Sequence, residues 1–368
     1  MEASIFVKAI FLRRLNRFVI ECLKDSKNLR AYLPNPGRLW ELLLPGRIIY
    51  LKKSQNGLPY TVWATERGGN IICLHTHYTN EVAKHIINKK FIPDLKDYVI
   101  KAREFRIGNH RVDFFLCNNS RTLPLEVKSC TLFNNSIAMF PDAITERGRR
   151  HLEILAGNNG AILFIVHNPD VMYFLPDFHT DPLFSEALAR LRDRLLVKAI
   201  SIKWFEDMTF NFIKELEIPW HVYDREARDK GSYILCGILS KDRTVKIGGL
   251  GRINFKKGYY LYTGSAMNSL SSRLRRHMRK HKTLKWHIDY LIPHLKDLRP
   301  IPIRSSESLE CILSNELKRI SGGYIPHFGS SDCSCESHLY WNKDNPFQDE
   351  KFIDIILRYR ISRLKELI

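Results

Sequence analysis

Long apolar runs are missing from this chain. Nowhere in its 368 residues is there anything close to the roughly 18 consecutive apolar residues that a membrane-spanning helix needs. The opening residues, Met1-Glu2-Ala3-Ser4-Ile5, lack the basic stretch and apolar run of a secretory signal, so a cytoplasmic protein is expected. Cysteine is sparse: Cys22, Cys73, Cys117, Cys130, Cys236, Cys311, Cys333 and Cys335 are scattered. Without a secretory context this excludes a disulfide framework. Acid is in deficit, with 39 Asp and Glu against 58 Lys and Arg and a net charge of +19. A chain this basic has an anionic polymer, first of all nucleic acid, as its expected partner. The charge is concentrated, with Arg273, Arg275, Arg276, Arg279, Lys280, Lys282 and Lys285 in one short run. Internal repeats and low-complexity tracts are also missing.

What is present is a succession of short elements. β-prone runs cover 5–11, 17–23, 47–51, 60–65 and 71–74, separated by the turn clusters Pro34-Asn35-Pro36-Gly37 and Arg67-Gly68-Gly69-Asn70. So many short strands in so few residues predict a small barrel or a strongly curved sheet. A helix follows at 80–89, with Asn80 as its cap and Val82, Ile86 and Ile87 on one face. Strand and helix then alternate: a hairpin at 105–107 and 111–117, a strand at 122–129, a helix at 145–155, a strand at 161–166, a helix at 182–196 and a last strand at 199–204. This predicts a mixed α/β sheet. The charged segment 215–230 reads as a linker. Beyond it come strands at 232–239, 245–247 and 259–263, and helices at 270–279, 284–292 and 309–320. The tail is an amphipathic helix expected to pack on the body.

Two constellations carry chemistry. In the first, Glu126 and Lys128 share one strand face because side chains repeat every two residues. Asp113 lies on the neighbouring strand of the hairpin, within reach of the same ion. Clustered carboxylates hold Mg²⁺ or Mn²⁺, and a nearby lysine steadies the developing anion. The acid-x-Lys triplet also occurs at Asp25, Asp94, Glu316 and Asp349, so only strand context and the partner aspartate single out Glu126. A structural ion pair at a sheet edge is the competing reading.

The stretches Asn16-Arg17-Phe18, Pro34-Asn35-Pro36-Gly37-Arg38, Arg111-Val112-Asp113-Phe114, Glu126-Val127-Lys128 and Phe140-Pro141-Asp142-Ala143-Ile144-Thr145-Glu146-Arg147-Gly148 resemble the sugar fermentation stimulation protein family, SfsA. The resemblance implies an OB-like barrel followed by a PD-(D/E)xK nuclease-like domain, and DNA rather than RNA as partner. It implies that Asp113, Glu126 and Lys128 match the nuclease core. Asn35, Gly37 and Arg38 fall in a family signature of the barrel half. Arg14, Arg17, Asn35, Arg38 and Arg147 are candidate nucleic-acid contacts, and Arg149, Arg150 and His151 would lie on the same helix as Arg147. Asp142 and Glu146 would either favour the positive end of that helix or join the metal.

The second constellation is Tyr233, Tyr262, Arg273, His277 and Glu310. The two tyrosines fall on neighbouring strands with their hydroxyls on one face. Arg273 and His277 are four apart on a helix, hence on one side of it. Arginine can stabilise a pentavalent phosphate, histidine can move a proton near neutrality, and a lone carboxylate can hold a metal. Arg276 and Arg279 are further phosphate contacts, and His287 is a further acid-base candidate. The blocks Gly231-Ser232-Tyr233, Gly258 to Ser265, Trp286 to Tyr290, Leu309-Glu310-Cys311 and Phe328 to Cys333 resemble an archaeal and bacterial domain of unknown function related to GIY-YIG endonucleases. The resemblance implies that Glu310 is the metal-binding carboxylate there. Nearby, Cys333, Cys335 and His338 offer zinc-type ligands but lack a fourth, and buried thiols closing the domain are the expectation.

The expected architecture is therefore α/β (α+β): an OB-like barrel over 1–78, a nuclease-like mixed sheet over 79–215, a GIY-YIG-like domain over 229–345 and a C-terminal amphipathic helix over 346–368. The expected activity is metal-dependent phosphodiester cleavage with Asp113, Glu126 and Glu310 as metal ligands. A DNA-binding regulatory protein with degenerate centres is the alternative.

Overall fold

The computed structural model describes residues 6–55 and 57–368. The chain forms two compact units, one running to Trp220 and including Leu364–Ile368, the other spanning His221–Arg363.

The first unit opens with strands β1 (Val7–Asn16), β2 (Val19–Lys24), β3 (Lys27–Tyr32), β4 (Ile48–Lys53), β5 (Tyr60–Arg67) and β6 (Asn70–Cys73). The order β3-β2-β1-β4-β5 closes on itself through a β3–β5 pairing, giving a five-stranded barrel. Its interior is apolar, with Phe11, Ile20, Ala31, Ile49, Leu51 and Val62 all buried. The strand at β3 is absent from the sequence reading. Its residues, Lys-Asn-Leu-Arg-Ala-Tyr, are mostly polar, and only Ala31 is fully buried.

Helix α1 (Thr79–Asn88) leads to β7 (Val99–Ile107), β8 (His110–Cys117) and β9 (Thr122–Cys130), then the short pair β10 (Leu132–Asn134) and β11 (Ile137–Phe140). Next come α2 (Glu146–Gly157), β12 (Ala161–Val166), β13 (Tyr173–Pro176), α3 (Pro182–Leu191), β14 (Leu196–Trp204) and β15 (Phe210–Glu215). The mixed sheet runs β14-β12-β9-β8-β7, with β12 parallel to both neighbours. Its parallel centre explains why β12, Ala-Ile-Leu-Phe-Ile-Val, is buried at every position. Asp181 caps α3 by accepting Phe184 N–H, and the helix ends at Leu191 rather than 196, because Leu196 already pairs with Ala161 in the sheet.

The second unit contains most of α4 (Trp220–Glu226), followed by β16 (Gly231–Leu239), β17 (Arg243–Ile247), β18 (Gly251–Phe255) and β19 (Gly258–Ala266). Then come α5 (Leu270–Met278), α6 (His287–Leu291), β20 (Lys296–Arg304), α7 (Glu310–Ile320), β21 (Gly323–Tyr324), β22 (Leu339–Asn342) and α8 (Glu350–Arg360). The five-stranded sheet has the order β20-β16-β19-β22-β21. Strand β20 carries Pro300 and Pro302, residues that argue against a central strand, and it sits at the sheet edge, where proline is tolerated. The segment 215–230 is not a free linker. Glu226 is fully buried and accepts the Ser306 hydroxyl at 2.6 Å and Arg363 at 2.8 Å. Asp229 accepts the hydroxyls of Ser269 and Ser271 and the Ser271 N–H, and so holds the start of α5. Helix α8 buries Phe352, Ile353, Ile356 and Leu357.

Candidate functional site

In the first unit the sheet itself assembles the carboxylates. The β8–β9 ladder ends at Phe114↔Leu125. Beyond it, Asp113 Oδ2 accepts the Val127 N–H at 2.7 Å, taking the place of a strand carbonyl, while Oδ1 accepts from Asn80 Nδ2 at 2.8 Å. Asn80 is therefore not a helix cap. The N-cap of α1 is Tyr78, and Asn80 is the second residue of the helix, where its amide fixes Asp113.

Glu126 is buried, with Oε1 taking Lys128 Nζ at 2.5 Å and His151 Nδ1 at 2.9 Å. A buried carboxylate is tolerated when such donors compensate its lost hydration. Burial alone would raise its pKa, but His151 and Lys128 outweigh burial and hold the carboxyl below its usual range. Asp113 moves the other way, pushed up by burial and by the neighbouring Glu126 charge. Two adjacent carboxyls with opposed shifts suit a site that exchanges a proton or takes up a cation.

His151 is placed by α2. Thr145 caps that helix by accepting Gly148 N–H at 3.0 Å, and the buried stripe is Gly148, His151, Leu152 and Leu155. His151 thus faces the sheet and bonds Glu126 rather than reaching a phosphate. Arg147 Nε lies 3.4 Å from His151 Nε2, and since arginine only donates, this leaves Nδ1 as the protonated nitrogen facing Glu126.

Asn80, Asp113, Glu126, Lys128 and Arg147 line a pocket of about 650 Å³ together with Arg17, Asn35 and Gly37 of the barrel and the segment 140–145, with His151 behind Glu126. Asp142 does not cap α2. Its carboxylate accepts the backbone N–H groups of Arg38 and Leu39, and burial raises its pKa. It lies directly behind Gly37, where a Cβ would come within 2.1 Å of Asp142 Oδ2, so only glycine fits that turn. Arg14 also differs from expectation. Its guanidinium donates to the carbonyls of Gly37 (2.6 Å), Arg38 (3.0 Å), Arg17 (2.7 Å) and Asn35 (3.1 Å), bracing the turn. Asn35 is buried, and its Oδ1 accepts Gly37 N–H at 2.9 Å. The Arg38 guanidinium lies over the Trp40 ring at 5.1 Å. Arg17 and Arg147 remain exposed at the pocket.

In the second unit, β16 and β19 bring the tyrosines together. Leu235 pairs with Tyr262 and Tyr233 with Gly264, so both rings share a face, with centroids 6.4 Å apart. Glycine at 264 makes room, since a Cβ there would lie 2.3 Å from the Tyr233 hydroxyl. Helix α5 buries Leu270, Leu274 and His277 on one stripe, and that stripe delivers His277 Nε2 to 2.8 Å from Tyr233 Oη. Burial, then Lys282, lowers the imidazole pKa to about 4, so it is neutral at pH 7. Burial raises both tyrosine hydroxyls.

Arg273 donates to Ser265 O at 3.1 Å and lies 4.1 Å over the Trp286 ring. Glu310, the first residue of α7, accepts the Ser265 hydroxyl, and its Oε1 is 3.0 Å from His338 Nδ1, close but not aligned as a hydrogen bond. Burial would raise its carboxyl, but His338 and Ser265 prevail and lower it. Tyr233, Tyr262, Arg273, Glu310 and His287 line a pocket of about 380 Å³. His277 lies behind it against Tyr233.

Arg276 corrects an expectation. It grips Asp289 at 3.0 and 2.9 Å and the Thr283 carbonyl at 2.6 Å, so it orders the turn after α5 instead of awaiting a phosphate. Burial would raise the Asp289 carboxyl, but Arg276 and the backbone donors of Lys285 and Trp286 bring it down to about 2. Arg279 is exposed. Ser265, which lines the pocket, and His338, which does not, are partners of Glu310 that the sequence pattern does not single out. His338 was visible only as a possible metal ligand.

Among the described residues, no helix is long and apolar enough to cross a membrane. Three family models match: the SfsA N-terminal OB domain over 12–74, the sugar fermentation stimulation protein RE domain over 77–207, and the domain of unknown function DUF123 over 232–360. A sugar fermentation stimulation protein homolog of Methanothermobacter thermautotrophicus is 34% identical over 195 residues, covering 51% of this chain and 81% of the relative. One from Shouchella clausii is 33% identical over 214 residues, covering 55% and 92%. The solved structure of Pyrococcus furiosus SfsA in complex with Ca²⁺ matches with a TM-score of 0.55 and 31% identity, covering 59% of this chain and 97% of that one. The chain belongs to the sugar fermentation stimulation protein family, with a DUF123 domain following the family's own two domains.

Proposed function

We propose that this protein binds nucleic acid, DNA in preference to RNA, in the cytoplasm and hydrolyses phosphodiesters at the Asp113–Glu126–Lys128 centre with Mg²⁺ or Mn²⁺. The observation that carries the reading is the convergence of Asp113, Glu126 and Lys128 in one pocket rimmed by Arg17, Arg103 and Arg147. Asp113 and Glu126 offer oxygen donors of the kind hard divalent cations take. A relative that shares this fold was solved with Ca²⁺, another oxygen-seeking ion. When bound, the cation would supply charge neutralisation at the scissile phosphate and a more acidic water.

The chain's own groups do the rest. Asn80 and the Val127 N–H orient Asp113. His151 and Lys128 keep Glu126 ionised. Lys128 stands where it can steady an oxyanion, and Arg17 and Arg147 can bind flanking phosphates. The GIY-YIG-like pocket is the second proposed centre. There Arg273 would clamp the phosphate, Glu310 would hold the metal, and neutral His277 could accept a proton through Tyr233.

A second reading, non-catalytic DNA binding, is favoured by one observation: Glu126 Oε1 already receives two donors. Cleavage assays decide between them, using branched, single-stranded and duplex DNA and matching RNA with Mg²⁺ or Mn²⁺, beside Glu126→Ala and Glu310→Ala. Loss of cleavage in one variant identifies the working centre. Tight binding without cleavage by the wild type would leave only the second reading.

A further inference from the structure

Cys333 and Cys335 gain a third thiol from a distant helix. Cys311, the second residue of α7, brings its Sγ to the same place, and His338, the residue before β22, completes the set. One ligand atom from each of the four lies within 4.8 Å of every other, and Cys333 Sγ is 3.4 Å from His338 Nε2. Around a tetrahedral zinc with bonds near 2.3 Å, sulfur atoms stand about 3.8 Å apart, so a contraction of about 1 Å or less closes the shell. Three thiolates and an imidazole are soft donors, which select zinc over magnesium or calcium. All three cysteines are free, and none is fully buried, so the thiols are not core packing.

We propose that Cys311, Cys333, Cys335 and His338 form a structural zinc site that staples the loop between β21 and β22 to the start of α7. That loop has almost no regular secondary structure, yet it contributes Gly329, Ser331 and Asp332 to the pocket. The site also reaches the pocket chemically. With Nε2 on the metal, His338 must carry its proton on Nδ1, the nitrogen 3.0 Å from Glu310 Oε1. A metal-bound histidine that hands its other N–H to a carboxylate fixes that carboxylate in place. The zinc assignment does not depend on hydrolysis at either centre, because its readouts concern only the four ligands.

The test uses the full chain. Elemental analysis of protein purified without added chelator should give one zinc per chain. Replacement with Co²⁺ should produce the thiolate-to-cobalt charge-transfer band of a tetrahedral site. Cys311→Ser, the variant that Cys-x-Cys spacing alone would not single out, should bind zinc at least about 100-fold more weakly. Alkylation with peptide mapping provides a check that needs no variant: chelation should expose Cys311, Cys333 and Cys335 together, and zinc should protect them together. A zinc-free chain without the cobalt band, wild-type affinity in Cys311→Ser, or alkylation of the three cysteines indifferent to metal would each overturn the assignment.

Discussion

His277 allows a quantitative test of the second unit. Its side chain is fully buried on the Leu270, Leu274, His277 stripe. Among the described residues its Nδ1 has no hydrogen-bond partner, and Asp289 is 3.8 Å away. The folded pKa is lowered to about 4, against roughly 6.5 for an unfolded histidine. The folded value lies below the unfolded one, so the unfolded chain takes up the proton first. The associated stability is fully present above pH ~6.5 and is lost as the pH falls toward 4. A gap of about 2.5 pH units at about 1.4 kcal/mol each gives a loss of order 3 kcal/mol. His277→Gln removes the titration while leaving an amide oxygen to accept the Tyr233 hydroxyl. Hydrogen exchange resolved to peptides of Gly231–Met278 reports on this unit alone. Between pH 7 and 4 the wild type should lose about 3 kcal/mol more protection than the variant. Parallel pH curves for the two proteins, or an imidazole that titrates near 6.5 by NMR, would refute the argument.

Four further outcomes are expected. Glu126→Gln should lower cleavage by about 100-fold or more while changing DNA affinity by less than about threefold, as measured by turnover and by filter binding. A parallel fall in both would instead indicate a binding residue. Gly264→Ala places a Cβ within 2.3 Å of the Tyr233 hydroxyl and should cost about 1–3 kcal/mol, read from the denaturation midpoint; an unchanged midpoint would contradict the packing. Arg147→Ala should reduce the salt dependence of DNA binding by about one phosphate contact. Arg14→Ala should leave that slope intact and lower stability by about 1–3 kcal/mol, because buried carbonyls lose their donor.

Much of the molecule follows from local pattern. The apolar run at Ala161–Val166 could hardly be anything but a buried strand, and period-two alternation aligned Glu126 with Lys128. What escaped was information carried by distant residues. His151 looked like one more basic group beside Arg147, Arg149 and Arg150; only the phase of α2 against β9 turns it toward Glu126. Cys311 is separated from Cys333 by a whole helix, so spacing rules for metal ligands could not include it. The segment 215–230 resembles a solvated linker because its charge density mimics exposure. Burial of Glu226 depends on Ser306 and Arg363, far along the chain. Charge composition pointed to an anionic partner without showing which arginines are available, since Arg14 and Arg276 are committed to carbonyls and to Asp289.

The prolines of β20 have a consequence for behaviour in a crowded cell. The strand keeps its register with β16 through Pro300 and Pro302, so the donors it lacks are those that would face outward from its own sheet. A neighbouring polypeptide trying to extend that sheet would meet a row with two successive donors missing. The rim of the domain is thereby made a poor template for fibre growth, and concentrated solutions of this highly charged chain should resist sheet-to-sheet polymerisation from that side.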